Sequence, residues 1–177
     1  LVALGRIFEE DLILVDVETC EKGVKRELKS VSDPTEELYN ALVFGIKEYC
    51  RRTGFRQAFI GLSGGIDSAV TTALASRALG AKNVTGISMP SKYSSQGSKD
   101  DAVVLAKNLG IKLKTIPIKD MFMAFENTLR GEFAGSPENT TEENIQARIR
   151  GIILMAHANK FGGLVISTGN KTETALG

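Results

Sequence analysis

Two chemistries could use one short stretch of this chain, Gly61, Leu62, Ser63, Gly64, Gly65, Ile66, Asp67 and Ser68. Residues 61–65 fit G-x-S-x-G, the turn on which serine hydrolases expose their nucleophile. The same glycines and serines, followed by a helix pattern, also fit a loop that holds a phosphate chain with backbone N–H groups and a helix N-terminus. The stretch therefore indicates either an attacking serine or an anion-binding loop.

The hydrolase interpretation needs a histidine base on a loop after a later strand. The chain has one histidine, His157, and it lies in the middle of the helix pattern RIRGIILMAHANK. A serine without a neighbouring base is a weak nucleophile. The sequence therefore favours a packed or surface role for His157 and a phosphate loop at residues 61–68, although a different base would keep the hydrolase alternative open.

Asp67 indicates a phosphate loop that works with a cation, because a carboxylate repels phosphate unless a cation lies between them. A Mg²⁺ ion held by Asp67 would bridge to the phosphates. The chain contains neither G-x-x-x-x-G-K-[ST] nor G-x-G-x-x-G. The sequence thus excludes a Walker loop and a dinucleotide fingerprint.

The elements around the loop alternate between short apolar strands and helices. The predicted strands are 57–62, 83–89, 111–118 and 163–167, and the predicted helices are 66–79, 98–109 and about 141–160. This alternation predicts an α/β fold, a doubly wound parallel sheet flanked by helices, with ligands at the carboxyl ends of the strands. Polar clusters follow three of these strands, so they should meet at that edge.

Four further segments are predicted outside this alternation. Residues 11–18 are expected to form a strand, and 20–32 a linker. A helix should begin at Asp33 and Pro34, end near Gly54, and bury one face. That face contains Leu38, Leu42, Val43, Ile46, Tyr49 and Cys50. Residues 129–140 read as a mobile surface loop, and Thr140 with Glu143 as the capping box of the following helix.

Composition sets the class of protein. With 177 residues, 42% of them hydrophobic, and a net charge of +1, the chain predicts a globular protein without a general attraction to nucleic acid or membranes. No apolar run approaches the ~20 residues needed to span a bilayer. Cys20 and Cys50 are expected to be reduced thiols, and the protein to be cytoplasmic.

Four motifs resemble one family in order and spacing. GLSGGIDSAV resembles the pyrophosphate loop of the ATP pyrophosphatases, which split ATP between the α- and β-phosphates. Together with SMPSKYSSQGSKDDA (88–102), TEENIQARIRGIILMAHAN (141–159) and STGNKTETALG (167–177), it closely resembles NAD synthetase. The resemblance covers about residues 33–177. It implies a ligase that amidates deamido-NAD to NAD through an adenylate.

The resemblance also implies roles for individual residues. Residues 61–68 and Thr168 would bind ATP, and residues 88–95 would flank its adenine and ribose. Asp67 and Glu173 would hold Mg²⁺. The deamido-NAD site would contain Asn144, Arg148 and Glu173, and Lys171 would neutralise phosphate charge.

The N-terminus resembles the last strands of the glutaminase domain fused to many NAD synthetases. We therefore expect residues 1–32 to be the tail of such a domain with a linker, and residues 33–177 to be a C-terminally truncated synthetase domain. The resemblance implies a glutamine-dependent parent that forms a homodimer or higher homo-oligomer. The alternatives are another ATP pyrophosphatase, similar to GMP synthetase or a tRNA-modifying enzyme, and a non-catalytic adenine-nucleotide-binding module.

Overall fold

The computed structural model of the chain describes residues 5–16, 33–91, 95–170, 172 and 175. The helices are α1 (Pro34–Thr53), α2 (Ile66–Leu79), α3 (Gln96–Leu109), α4 (Lys119–Leu129) and α5 (Thr140–Phe161). The strands are β1 (Ala58–Leu62), β2 (Val84–Ser88), β3 (Lys112–Thr115) and β4 (Leu164–Val165).

The four strands form one parallel sheet in the order β3-β2-β1-β4. β1 pairs with β2 on one side and with β4 on the other, both in parallel. The order reverses at β1, since the chain first moves outward to β2 and β3 and then returns to the far side of β1. This reversal is the point at which open α/β sheets bind ligands, and the structure confirms the predicted fold class.

Alternating side chains of the strands supply two hydrophobic cores, one on each face of the sheet. Phe59 and Ile87 pack with Phe122 of α4 and Ile149 of α5. On the opposite face, Ile60, Leu62 and Val84 of the strands pack with Ala75 of α2 and with Ala102 and Ala106 of α3. The result is a three-layer arrangement in which helices cover both faces.

Helix ends follow local side-chain chemistry. The Asp33 carboxylate accepts a hydrogen bond from the Thr35 N–H at 3.2 Å, and Gly54 ends α1 with φ +79°, both as predicted. The capping box of α5 lies one residue earlier than predicted. Asn139 accepts from the Thr141 N–H, and Glu142 accepts from the Asn139 N–H, each at 2.8 Å. Asn139 and Glu142 have the same three-residue spacing as Thr140 and Glu143, so the prediction was wrong by one position.

Two predictions from the sequence are wrong at least in part, one about strand pairing at residues 11–16 and one about the burial of α1. Residues 11–16 form no strand, and Leu12 and Leu14 are exposed. A strand needs a neighbour for its backbone hydrogen bonds, and the described part of the chain offers none to this segment. The remaining residues of the predicted strand and the predicted linker lie outside the described residues.

The predicted apolar face of α1 is covered only in part. Cys50 is buried and Val43 and Ile46 are partly buried, but three of the six predicted residues are exposed, namely Leu38, Leu42 and Tyr49. The ring of Phe8 packs against Phe44, with 5.9 Å between centroids. Helical periodicity identifies an apolar face but not the element that covers it.

Cys50 is the cysteine that the structure describes, and its surroundings agree with a reduced thiol. It is buried, and burial raises the pKa of its thiol. The neutral thiol therefore predominates at neutral pH, and the reactive thiolate is disfavoured. Cys20 lies outside the described residues. Among the helices in the described ranges, none is long and apolar enough to cross a membrane.

Gly86→Ala should destabilise the fold, because an added methyl group would meet Leu62 inside the sheet. A Cβ at Gly86 would lie 2.5 Å from Leu62 Cδ1 and 3.0 Å from Leu62 Cγ. We expect a loss of about 1–3 kcal/mol in the free energy of unfolding, measured by urea denaturation. Gly45→Ala is the control, since Gly45 lies within α1 and an added Cβ meets nothing within 4 Å. The free energy of unfolding of that variant should rise by about 0.5–1 kcal/mol. If Gly86→Ala were as stable as Gly45→Ala, the close packing of Gly86 against Leu62 would be contradicted.

Candidate nucleotide-binding site

A glycine-rich loop joins the carboxyl end of β1 to the first turn of α2, as the sequence predicts. Gly64 has φ +79°, a conformation that glycine adopts without strain. A Cβ at Gly64 would lie 2.6 Å from the backbone oxygen of Ser98 in α3. The loop is therefore pressed against α3, and only a hydrogen atom fits between them.

Serine hydroxyls hold the loop in shape from within. Ser68 is buried, and its hydroxyl donates to the Gly65 carbonyl oxygen at 2.8 Å. The Gly65 N–H donates to Ser63 Oγ at 3.2 Å, and Ser63 Oγ lies 3.3 Å from Ser68 Oγ. Ser63 thus stabilises a compact turn at the N-terminus of α2, where backbone N–H groups and the helix dipole favour an anion.

His157 does not serve this loop. Its Nδ1 lies 2.9 Å from the Ile153 carbonyl oxygen within α5. Its ring packs between Phe59 and Phe161, with centroid distances of 5.9 and 5.8 Å. The prediction of a packed helix residue is confirmed. The hydrolase alternative therefore lacks a histidine base, since the chain has one histidine.

A cavity of about 510 Å³ opens beside the loop, at the carboxyl edge of the sheet. We call it the loop cavity. Its walls come from the end of β1, the end of β2, the start of α3, one face of α5 and the segment after β4. The lining residues are Gly61, Leu62, Ser63, Ser88, Met89, Pro90, Ser98, Ala147, Arg150, Gly151, Leu154 and Thr168. This volume is typical of small-molecule sites.

Two small residues, Ala147 and Gly151, line the loop cavity along α5. They share one helical face with Leu154, and an added Cβ at Gly151 would meet nothing within 4 Å. Gly61 faces them from β1; a Cβ there would lie 3.3 Å from Met89 Cε and 3.4 Å from Leu154 Cδ1. The apolar part of the cavity thus lies between β1 and α5, and the polar loop lies at its mouth.

Arg150 is a functional candidate that the sequence reasoning missed. Its Nε donates to the Met89 carbonyl oxygen at 3.2 Å, which fixes the guanidinium at the end of β2. The side chain is partly buried, and burial lowers the pKa of the guanidinium. An arginine still remains charged at neutral pH. The sequence contained a signal for this position of Arg150. It lies three residues after Ala147 and four before Leu154, so the three residues share one face of the helix.

A second cavity, of about 460 Å³, shares Arg150 with the first. We call it the polar cavity. Ser91 lines it after β2, and the start of α5 forms the rest of its wall. That wall consists of Glu138, Asn139, Glu142, Glu143, Gln146 and Arg150.

The two α5 residues assigned by resemblance lie outside both cavities. Asn144 and Arg148 are exposed, and the Arg148 guanidinium donates to the Asn144 carbonyl oxygen at 3.1 Å. They share a helix face, as their spacing predicts. A contact with a nucleotide remains a prediction for both.

Of the remaining residues predicted to bind ATP, phosphate or Mg²⁺, the structure describes some and not others. Thr168 follows β4, is partly buried and lines the loop cavity. Asp67 is exposed in the first turn of α2. Its hard carboxylate oxygens, next to a loop that favours anions, suit Mg²⁺. Within the described ranges, no group of three or more His, Cys, Asp and Glu side chains could hold a metal ion. Lys171 and Glu173, the predicted second Mg²⁺ ligand, lie outside those ranges.

A parallel α/β sheet with a glycine-rich loop and a helix N-terminus at its switch point is an arrangement found in many nucleotide-binding proteins. The profile of the NAD synthase family matches residues 38–177. The chain therefore belongs to the NAD synthase family.

Curated relatives agree with this assignment. The chain is 43% identical to the glutamine-dependent NAD(+) synthetase of Thermotoga maritima, with 100% of this chain and 36% of the relative covered. It is 47% identical to the enzyme of the same description from Synechocystis, with 100% and 32% covered. The chain thus spans about a third of the length of these relatives.

Solved structures show the same fold. A glutamine-dependent NAD+ synthetase from Acinetobacter baumannii, in complex with ADP, superposes with a TM-score of 0.83 at 43% identity, covering 85% of this chain and 29% of that one. The NMN synthetase from Francisella tularensis superposes with a TM-score of 0.73 at 31% identity, covering 80% and 57%.

Proposed function

We propose that this chain is the ATP-binding core of an enzyme that amidates deamido-NAD to NAD and releases AMP and pyrophosphate. One observation carries the proposal: Ser63 at the start of the loop, the end of β2, one face of α5 and Thr168 line a single cavity, in a chain of the NAD synthase family. The related structure described as an ADP complex supports an adenine nucleotide as the ligand.

The reaction would have two steps. A carboxylate oxygen of the nicotinate attacks the α-phosphorus of ATP, and pyrophosphate leaves. Ammonia then attacks the activated carbonyl carbon, and AMP leaves with the oxygen that formed the bond. The protein would contribute positioning and charge neutralisation, because neither step needs a covalent nucleophile from the protein.

The chain's own residues divide these tasks. The backbone N–H groups at the start of α2 would hold phosphate oxygens, and Thr168 would contact ATP. Asp67 and Glu173 would hold Mg²⁺, which would neutralise phosphate charge. Asn144, Arg148 and Glu173 would hold the deamido-NAD, and Lys171 would neutralise phosphate charge.

Ammonia would come from glutamine in the parent protein. This rests on the curated relatives, which are described as glutamine-dependent. Residues 1–32 would be the tail of the glutaminase domain and a linker. The parent would be a cytoplasmic homo-oligomer that binds neither nucleic acid nor membranes.

Product analysis tests the proposal. The 177-residue chain is incubated with Mg·ATP, ammonium and deamido-NAD, and NAD, AMP and pyrophosphate are quantified. We expect equal amounts of all three. Nicotinic acid mononucleotide serves as the matched acceptor, since one structural relative is described as an NMN synthetase. ATP binding without pyrophosphate release would favour a non-catalytic module, and release only with tRNA or another nucleotide acceptor would favour a different ATP pyrophosphatase.

Arg150→Met should weaken Mg·ATP binding by about tenfold to a hundredfold, as measured by isothermal titration. The guanidinium lines the loop cavity, and a hydrogen bond to a charged group is worth about 1.5–3 kcal/mol. The control is Arg130→Met, because Arg130 is exposed and pairs with Asn127 instead. If the two variants bound Mg·ATP with equal affinity, Arg150 would not be part of the binding site.

A further inference from the structure

We propose that Arg150 holds the α-phosphate of ATP, the phosphate that stays with AMP, and that its guanidinium also meets the attacking carboxylate of the acceptor. This inference rests on the proposed function, because that reaction cuts ATP between the α- and β-phosphates. It goes beyond a contact with ATP, since it names the phosphate and gives Arg150 a task in the attack.

Arg150 carries a charge that the described part of the chain leaves unpaired. Its Nε donates to the Met89 carbonyl oxygen, and this is its one hydrogen bond within the described ranges. None of the ion pairs between described residues includes it. The side chain is partly buried, and buried charges normally have a partner. The terminal amino groups Nη1 and Nη2 are therefore available to an anion.

The position of Arg150 separates it from the phosphate loop. Among the described residues that line the loop cavity, Arg150 is the one with a charged side chain. It belongs to the wall formed by α5 and the end of β2, whereas Ser63 lines the cavity from the end of β1. A phosphate chain in this cavity thus has two sources of positive potential, the N-terminus of α2 after Ser63 and the Arg150 guanidinium.

The space around Arg150 suits a ligand rather than a packed contact. Ala147 and Gly151 lie beside it on the same wall of the loop cavity. An added Cβ at Gly151 would meet nothing within 4 Å. Because its neighbours are small, the guanidinium is accessible from the cavity while its Nε stays fixed to β2.

The chemistry of the proposed reaction explains why the α-phosphate needs this cation. A carboxylate attacks the α-phosphorus, so two anions must meet, and their charges repel each other. The attacking and leaving oxygens lie roughly in line in phosphoryl transfer. With the pyrophosphate at the loop, the acceptor therefore approaches from the side of Arg150. A guanidinium can donate to a phosphate oxygen and to a carboxylate oxygen at once, because its planar fork presents two amino groups.

Binding measurements isolate the α-phosphate. The 177-residue chain is titrated in Mg²⁺ with adenosine, with AMP and with pyrophosphate, because AMP differs from adenosine by the α-phosphate alone. The variants are Arg150→Met, which removes the charge, and Arg150→Lys, which keeps the charge without the planar fork. Arg130→Met is the control, since Arg130 is exposed and lines none of the cavities. Thermal unfolding checks that each variant is folded.

We expect the unaltered chain and Arg130→Met to bind AMP at least about tenfold more tightly than adenosine. Arg150→Met should bind the two ligands about equally, and its affinity for pyrophosphate should stay within about twofold of the unaltered chain. Arg150→Lys should show an intermediate preference for AMP. If Arg150→Met unfolds, Arg150→Lys decides.

An unchanged preference for AMP in the Arg150 variants would overturn the proposal. An equal loss of AMP, adenosine and pyrophosphate binding would also overturn it, because Arg150 would then act by tying α5 to β2. The same holds if the unaltered chain does not prefer AMP over adenosine. These are binding results, so they are distinct from a failure of the proposed function, which would appear as missing pyrophosphate release.

Discussion

Gly64→Ala should abolish detectable ATP binding and destabilise the chain. A methyl group at this position would lie 2.6 Å from the Ser98 carbonyl oxygen and 2.7 Å from Ser98 Cα, and both are backbone atoms that cannot rotate away. Its φ of +79° adds roughly 1–2 kcal/mol of strain for an alanine. Because the loop must move away from α3, its N–H groups would no longer converge. Isothermal titration with Mg·ATP and urea denaturation measure the two effects.

Gly65→Ala is the matched control for this variant. Gly65 has φ −88°, which alanine adopts readily, and an added Cβ would lie 3.3 Å from Ser63 Oγ, a side-chain atom that can adjust. The effects on stability and on ATP affinity should therefore be much smaller than for Gly64→Ala. Similar losses in the two variants would mean that the contact with α3 does not shape the loop.

Asp67→Asn should remove the Mg²⁺-dependent part of ATP binding with little effect on folding. The side chain is exposed, so it contributes little packing. Its charge in the first turn of α2 is worth about 0.3–1 kcal/mol through the helix dipole. Titration with ATP in Mg²⁺ and in EDTA separates the metal-dependent affinity, and thermal unfolding reports the stability.

Asp120→Asn provides the comparison for Asp67→Asn. Asp120 is an exposed aspartate in the first turn of α4, so it has the same helix-dipole role without the phosphate loop. The two variants should lose similar stability, and only Asp67→Asn should lose Mg²⁺-dependent binding. A collapse of thermal stability confined to Asp67→Asn would contradict its metal role.

Local signals predicted the elements around the loop well. The helix predicted at 66–79 is observed with those bounds, and β1 and β2 differ from their predictions by one residue at most at each end. Glycine and serine at 63–68 have strong backbone preferences, and short apolar runs between helices leave few alternatives to a parallel sheet. The position of the candidate site followed, because parallel strands bring their carboxyl ends to one edge.

Features that depend on distant contacts were harder to predict. The α4 helix was not predicted, although Phe122 packs into the core. Arg150 gained its role from the Met89 carbonyl, 61 positions earlier in the chain. The polar cavity depends in the same way on the approach of Ser91 to α5. Sequence patterns report faces and ends of elements, whereas these features arise from how the elements pack.

The central claim is that the acceptor's carboxylate attacks the α-phosphorus of ATP bound at the 63–68 loop. The most direct test uses deamido-NAD labelled with ¹⁸O in both oxygens of the nicotinate carboxylate, with Mg·ATP, ammonium and this chain. Mass spectrometry of the products should find one ¹⁸O atom in AMP and one in the amide of NAD. Label in inorganic phosphate, or unlabelled AMP formed together with NAD, would contradict the account.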